Sequence, residues 1–283
     1  MQTNSSLELS KINIDAIRSE VAGKAPLIHC ITNPISINDC ANVVLLTGAK
    51  PIMAEHPDEV AEITQIADAL AVNLGNITDA RLKSIRISAA KAADINIPSI
   101  IDMVGITCSS LRLKYARAYL DDFAPSIIKG NMAEIKALCN KEFSSIGIDA
   151  VEDEYTGQSE CELVASLAAS KKCVVMATGK TDIISDGSHI FMIKNGSPKL
   201  PLITGTGCML NVLAASFLPV AAPLDAAVTA SLMLGICGEI ADNDTCNKGL
   251  GSFHIALLDA LSAVETSELF SRADVICSTA RSM

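Results

Sequence analysis

The chain has 283 residues, 49% of them hydrophobic, and a formal net charge of -10. That length and apolar content allow a sizeable core, but with 3% aromatic residues and no Trp the core must be built from Ala, Val, Ile and Leu. The acidic balance, with no long run of Lys or Arg, argues against nucleic acid or an anionic membrane as partner; it leaves room for phosphorylated ligands, which backbone N–H groups can hold.

In chain order, the first residues, MQTNSSLELSK, lack a basic stretch followed by an apolar one, so no secretory signal is expected. PLIHCI (26–31) predicts a strand, and NDCANVVLLTG a helix that stops at Gly48. KPIMA (50–54) is the next strand. PDEVAEITQIA (57–67) is the next helix, with Pro57 at its start and acids in its first turn. ALAVNLG (69–75) predicts a buried strand, and Thr78 an N-cap for a helix reaching about residue 93. PSIIDMVG (98–105) and PSIIKGN (125–131) repeat the strand theme with a helix between them.

After Cys173 the pattern changes. CVVMATG is another buried strand, and TDIISDGSHIFMI is two strands joined at Asp186-Gly187, a hairpin signal. From Thr204 onward nearly everything reads as helix: 205–217, about 222–241, and a last one after GLGSF. Short, continuously apolar strands with helical crossovers imply a mainly parallel sheet covered on both faces, in one α/β domain spanning 1–283. Ligands are expected near the carboxyl ends of its strands.

Ten cysteines lie mostly inside apolar runs with no CxxC pair, the usage expected of small buried hydrophobes in a reducing compartment. No uninterrupted apolar run reaches the roughly 18 residues of a membrane helix. These features lead to the expectation of a soluble, cytoplasmic protein.

Four stretches can carry chemistry. In TGTGCMLNVLAASF (204–217), Gly205 and Gly207 permit positive φ, and the apolar helix behind them presents unpaired N–H groups suited to a phosphoryl group. A tight loop before a core helix is the plainer alternative, and a P-loop is excluded because GK[ST] does not follow. Cys208 sits at that helix start, where a thiolate is favoured and the usual thiol pKa of about 8.5 can fall. In KGNMAEIKAL (129–138), Lys129 is a cation at a strand end, or an ordinary surface lysine; Asn131 and Glu134 form a capping-box-like pair. Asp102 closes a strand in IDMVG and is a candidate for Mg²⁺, directly or through water; Thr178 leaves another strand in MATGKTD. Either can be a mere turn residue. The four histidines show no paired metal spacing, which argues against zinc; a Cys208 hydrolase stays open, although no motif supplies its histidine partner.

The order of these pieces resembles the hydroxyethylthiazole kinase family of the ribokinase-like superfamily. The resemblance runs from about residue 26 to 261 on HCITNPISINDCAN, TGAKPIMA, INIPSIIDMVG, IIKGNMAEIKAL, VVMATGKTDIISDG, TGTGCML and KGLGSFHIALLDAL. GTGC is shared with the related hydroxymethylpyrimidine phosphate kinases; the ITN, AN and PIMA series points to the thiazole family. The resemblance implies a central, mainly parallel sheet flanked by helices, and a homotrimer with sites between subunits. It implies ATP-dependent phosphorylation of 5-(2-hydroxyethyl)-4-methylthiazole, in thiamine biosynthesis or salvage, with Mg²⁺. Met53 and Gly205 match substrate contacts, Lys129 and Thr178 match ATP-binding positions, and Cys208 matches the catalytic position, an aspartate in the sugar kinases. Asp102 and Glu134 match acidic positions near the Mg²⁺–phosphate region.

The chain departs from the family at four places. Met103 follows Asp102 where Pro is common, and Ile106-Thr107 replaces a Gly-Ala pair. Lys129 stands where Arg is frequent, and Gly249-Leu250-Gly251 replaces Gly-Pro-Gly. A pyrimidine-type kinase of the same superfamily and a catalytically reduced ATP-binding protein remain the alternatives.

Overall fold

The computed structural model describes residue 9, residues 11–139 and residues 157–279. Residues 1–8 and 10, in the stretch read for a signal, lie outside them. Helix α1 (Ile14–Lys24) leads into strand β1 (Leu27–Ile31), then α2 (Ile37–Leu46), β2 (Lys50–Ile52), α3 (Val60–Ile66) and β3 (Ala69–Asn73). Next come α4 (Asp79–Asp94), β4 (Ser99–Asp102), α5 (Ser110–Asp122), β5 (Ile127–Asn131), α6 (Met132–Cys139), α7 (Gly157–Lys171) and β6 (Val174–Thr178). The hairpin β7 (Asp182–Ser185) and β8 (His189–Ile193) follows. The chain ends in α8 (Thr206–Phe217), α9 (Pro223–Asp244), α10 (Leu250–Ala263), α11 (Thr266–Arg272) and β9 (Val275–Thr279).

The described strands form one sheet in the order β2-β1-β3-β4-β5-β6-β7-β8-β9. All pairs from β2 to β6 are parallel, and β7, β8 and β9 extend the sheet antiparallel. The run-on apolar character of the strands has a direct cause: both faces are buried. Ile28, Ala71, Ile100, Ile127 and Met176 pack with α1, α2, α8, α9 and α10 on one side. Val72, Ile101, Ile128 and Val175 pack with α4, α5, α6 and α7 on the other. This is the expected sheet flanked by helices on both faces, with the strand period of two turning alternate residues to opposite cores.

Some helix starts carry side-chain caps. Thr78 Oγ1 accepts the Arg81 N–H at 3.2 Å and Ser109 Oγ the Arg112 N–H at 3.3 Å. The helix expected from Pro57 begins at Val60, because residues 57–59 form a turn in which the His56 ring nitrogen takes the Asp58 N–H at 3.2 Å. β2 stops at Ile52, so Met53 and Ala54 belong to the loop beyond it. The final helix is not the end of the fold: α11 and edge strand β9 follow it, β9 pairing along β8. VICST is short and lies half-exposed at an edge, so it lacks the continuous apolar signature of the central strands.

Helix α9 has the length and apolarity to cross a membrane, yet 78% of its apolar window is buried inside the fold. It is a core helix, buried on every side over residues 226–238 and charged only towards its ends. The ten thiols are all free.

Candidate active site

The carboxyl ends of the parallel strands gather the polar residues that the apolar strands otherwise lack. Asn73 ends β3, Asp102 ends β4, Lys129 lies near the end of β5 and Thr178 ends β6. Asp102 and Lys129 are register partners on adjacent strands, and their side chains meet: Asp102 Oδ2 accepts from Lys129 Nζ at 2.9 Å. Both are buried, at 2% and 3% exposure, which separates Lys129 from an ordinary surface lysine. Asn73 Nδ2 donates to the same Oδ2 at 3.0 Å and to Cys208 Sγ at 3.4 Å. The amide orientation is fixed by its other end, because Asn73 Oδ1 accepts the Gly75 N–H at 2.8 Å.

Burial pushes the Asp102 carboxyl up, opposed chiefly by Lys129. Burial alone would push the Lys129 ammonium down, but Asp102 reverses this and holds it up. Lys129, Asn73 and the Val104 N–H all donate to the carboxylate, and donors of that kind favour its charged form. These donors act against the cost of burial and favour the carboxylate–ammonium form of the pair.

Met103 donates its N–H to Lys129 O at 2.7 Å. The Pro that the resemblance leads one to expect here has no N–H to give, so Met103 adds a rung at the end of the β4–β5 ladder.

Glu134 is 5% exposed and does more than cap. Its Oε2 takes the Asn131 N–H at 2.7 Å while Asn131 Oδ1 takes the Glu134 N–H at 2.9 Å, a closed capping box. Its Oε1 takes the Gly105 N–H at 2.7 Å, which pins the loop after β4 to the start of α6. Each carboxylate oxygen keeps a free lone pair. Among the described residues no cluster of three or more His, Cys, Asp or Glu is able to hold a metal ion by itself. Asp102 and Glu134 are the buried carboxylates here, and Mg²⁺ takes few protein ligands, drawing the rest from water and phosphates.

Helix α8 opens on Gly205, whose φ of 96° is the left-handed region that favours glycine. The first intrahelical bond runs from the Met209 N–H to Gly205 O at 2.8 Å, so the N–H groups of Thr206, Gly207 and Cys208 have no acceptor within the helix. A Cβ on Gly207 would sit 3.6 Å from Lys129 Nζ. The ammonium thus lies directly against the helix start, and two positive features face one volume. Thr178 Oγ1 lies 3.4 Å from Gly130 O on the neighbouring strand. Met53 is half-buried against the core and makes no bond to the ionic cluster.

The thiol does not behave as its helix position suggested. Burial pushes the Cys208 thiol up, and the Asp102 carboxylate adds to this against the Ser36 and Asn73 hydrogen bonds. The lowering that a helix start permits is corrected to a raised value, with desolvation of the thiolate inside the core as the largest cause. Peptide-resolved alkylation should therefore find Cys208 protonated and slow at neutral pH, with a midpoint above the usual value of about 8.5, while exposed Cys108 and Cys246 react freely. By linkage the retained proton favours the folded state below that usual value, and this contribution fades as pH rises through the folded one. Cys208→Ala should keep turnover within about 10²-fold of the parent, the low end of the range for losing a general base. Fast alkylation of Cys208 at pH 7 would restore the thiolate.

The "Hydroxyethylthiazole kinase family" model matches residues 18–267. The chain is 47% identical over 252 residues to Hydroxyethylthiazole kinase 2 of Clostridium botulinum, covering 88% of this chain and 94% of that one. The chain belongs to the hydroxyethylthiazole kinase family. The structure of a hydroxyethylthiazole kinase protein from Pyrococcus horikoshii superposes with a TM-score of 0.84 at 30% identity, covering 94% of this chain and 98% of that one. A ribokinase-like superfamily protein of Enterococcus faecalis superposes with a TM-score of 0.59 at 12% identity over 88% and 94% of the two chains, a likeness of fold.

In this family member, three residues that the sequence reading did not single out join the cluster or the loops beside it. Asn73 bridges Asp102 and Cys208; its sole clue was a polar residue at the end of an apolar strand. Arg81, 3% exposed, donates to Gly75 O, Asn76 O and Thr32 O at 2.6–2.8 Å. Arg112 donates to Leu74 O and Val104 O, joining the loops after β3 and β4.

Proposed function

We propose that this member of the hydroxyethylthiazole kinase family transfers the terminal phosphoryl group of ATP to the hydroxyl of 5-(2-hydroxyethyl)-4-methylthiazole. The supporting observation is the join of the Asp102–Lys129 pair to the open start of α8, in a chain with family relatives along nearly its whole length. Phosphoryl transfer needs positioning and charge stabilisation more than a base, and this arrangement supplies both.

In this reading Lys129 and Thr178, at the ends of adjacent strands, hold ATP. The N–H groups that follow Gly205 take up charge on the moving phosphoryl group, and Met53 supports the thiazole by apolar contact. Asp102 and Glu134 would hold Mg²⁺, which when bound neutralises phosphate charge. Cys208 stays a neutral thiol beside the acceptor hydroxyl, oriented by Asn73. The reading also includes one domain, a cytoplasmic location and a homotrimer. Exposed Ile35 and Leu202, each within a few residues of the Ser36–Gly205 contact, favour a second copy over that edge.

A panel of alcohols tests the substrate. ATP-dependent phosphorylation should be fastest on the thiazole alcohol, lost in excess chelator and restored by Mg²⁺. Preference for a hydroxymethylpyrimidine would move the chain to the sister activity, and full turnover in chelator would remove the cation.

A further inference from the structure

Met53 lies in a loop, yet the two residues after it are held as firmly as a strand. His29, fully buried on β1, meets Ala54 O through Nε2 at 3.0 Å, with Nδ1 against Thr64 Oγ1 at 2.9 Å. A ring nitrogen facing a carbonyl carries the proton, so His29 donates to Ala54. From helix α4, the Ser84 hydroxyl lies 2.7 Å from Glu55 O and Arg81 Nε 3.2 Å from the Glu55 carboxylate. The other guanidinium nitrogens of Arg81 take the carbonyls that follow β1 and β3. One buried cation therefore ties the loop after Met53 to the strand end that carries Asn73. A buried histidine and a buried arginine are costly to desolvate, and packing alone would not require them here.

We propose that His29, Arg81 and Ser84 are positioning residues for the acceptor alcohol. They fix the segment from Met53 to Glu55, so that the methionine forms a set wall of the ring pocket rather than a mobile one. This rests on the reading that Met53 contacts the thiazole. Methionine is the most adaptable apolar side chain, so its value as a wall depends on a fixed backbone. The clamp sets affinity for the ring and discrimination against bulkier heterocycles; it does not touch nucleotide.

The fold-safe test is the Glu55→Ala/Ser84→Ala pair, since Glu55 is exposed and Ser84 loses one hydroxyl. His29→Leu and His29→Gln accompany it, because the glutamine amide can still donate to Ala54. The pair and His29→Leu should raise KM for the thiazole alcohol about tenfold, the size expected for one or two lost polar contacts, with KM for ATP unchanged. His29→Gln should recover most of the loss. Unchanged thiazole KM in the Glu55/Ser84 pair, or an equal rise in both KM values, overturns the proposal even if His29→Leu does not fold. Met53→Ala separates the two readings. If it leaves thiazole KM alone, the Met53 contact itself is wrong; if it raises KM while the clamp variants are silent, only the clamp is.

Discussion

Lys129→Ala should cost about 3–5 kcal/mol of stability, the usual penalty for stranding one member of a buried ion pair. It should also remove most turnover. The ammonium is 3% exposed and held by Asp102. Its loss leaves a carboxylate in the core with only Asn73 and a backbone N–H as donors. An effect confined to KM for ATP, the outcome for a lysine that merely reaches a phosphate, would contradict this geometry. The double variant Lys129→Met/Asp102→Asn separates structure from chemistry. It removes both charges, keeps their volume and leaves Asn73 an acceptor, so urea unfolding should recover much of the stability. Turnover should stay low, because no cation then lies beneath α8. Recovery of both would make the pair a structural device without a catalytic part.

Gly205→Ala should lower kcat by about 10²–10³-fold, the loss typical of displacing one donor from an oxyanion site. Two costs combine at this residue. A φ of 96° disfavours any Cβ, and the added atom would stand 2.6 Å from Ser36 Cβ. The helix start must move away from Ser36 to accommodate it, carrying the N–H groups of Thr206, Gly207 and Cys208 off their line. Ser36→Gly beside Gly205→Ala relieves the overlap but not the φ, and should restore turnover only in part. Parent-like kcat in Gly205→Ala, with parent-like thermal stability, would show that those N–H groups do not serve the reaction.

The parallel half of the fold was legible because burial on both faces writes an unbroken apolar run, as in ALAVN and VVMAT. The hairpin at Asp186-Gly187 was legible from two residues of turn chemistry, and Gly187 has the expected positive φ of 91°. Edge strand β9 was not, since a half-exposed strand carries no such run. In the site, position along the chain showed which residues end strands but not which of them touch. The meeting of Asp102 and Lys129 is set by strand order and register, contacts between residues 27 apart in sequence that no local pattern encodes. Cys208 shows the same limit from the other side. Its place at a helix start was plain, while the burial and the neighbouring carboxylate that reverse its acidity come from other elements.

The ammonium beneath the first turn of α8 has a consequence at longer range. A protein of formal net charge -10 repels a polyanion as it approaches. The helix end and the Asp102-paired Lys129 can attract phosphate only at short range, inside a Debye length of about 8 Å at physiological salt. Capture and retention of the nucleotide are thus governed by different fields: a repulsive one that salt weakens and an attractive one that salt hardly reaches. A triphosphate arriving with part of its charge already neutralised crosses the first barrier more easily, and only the second holds it in place.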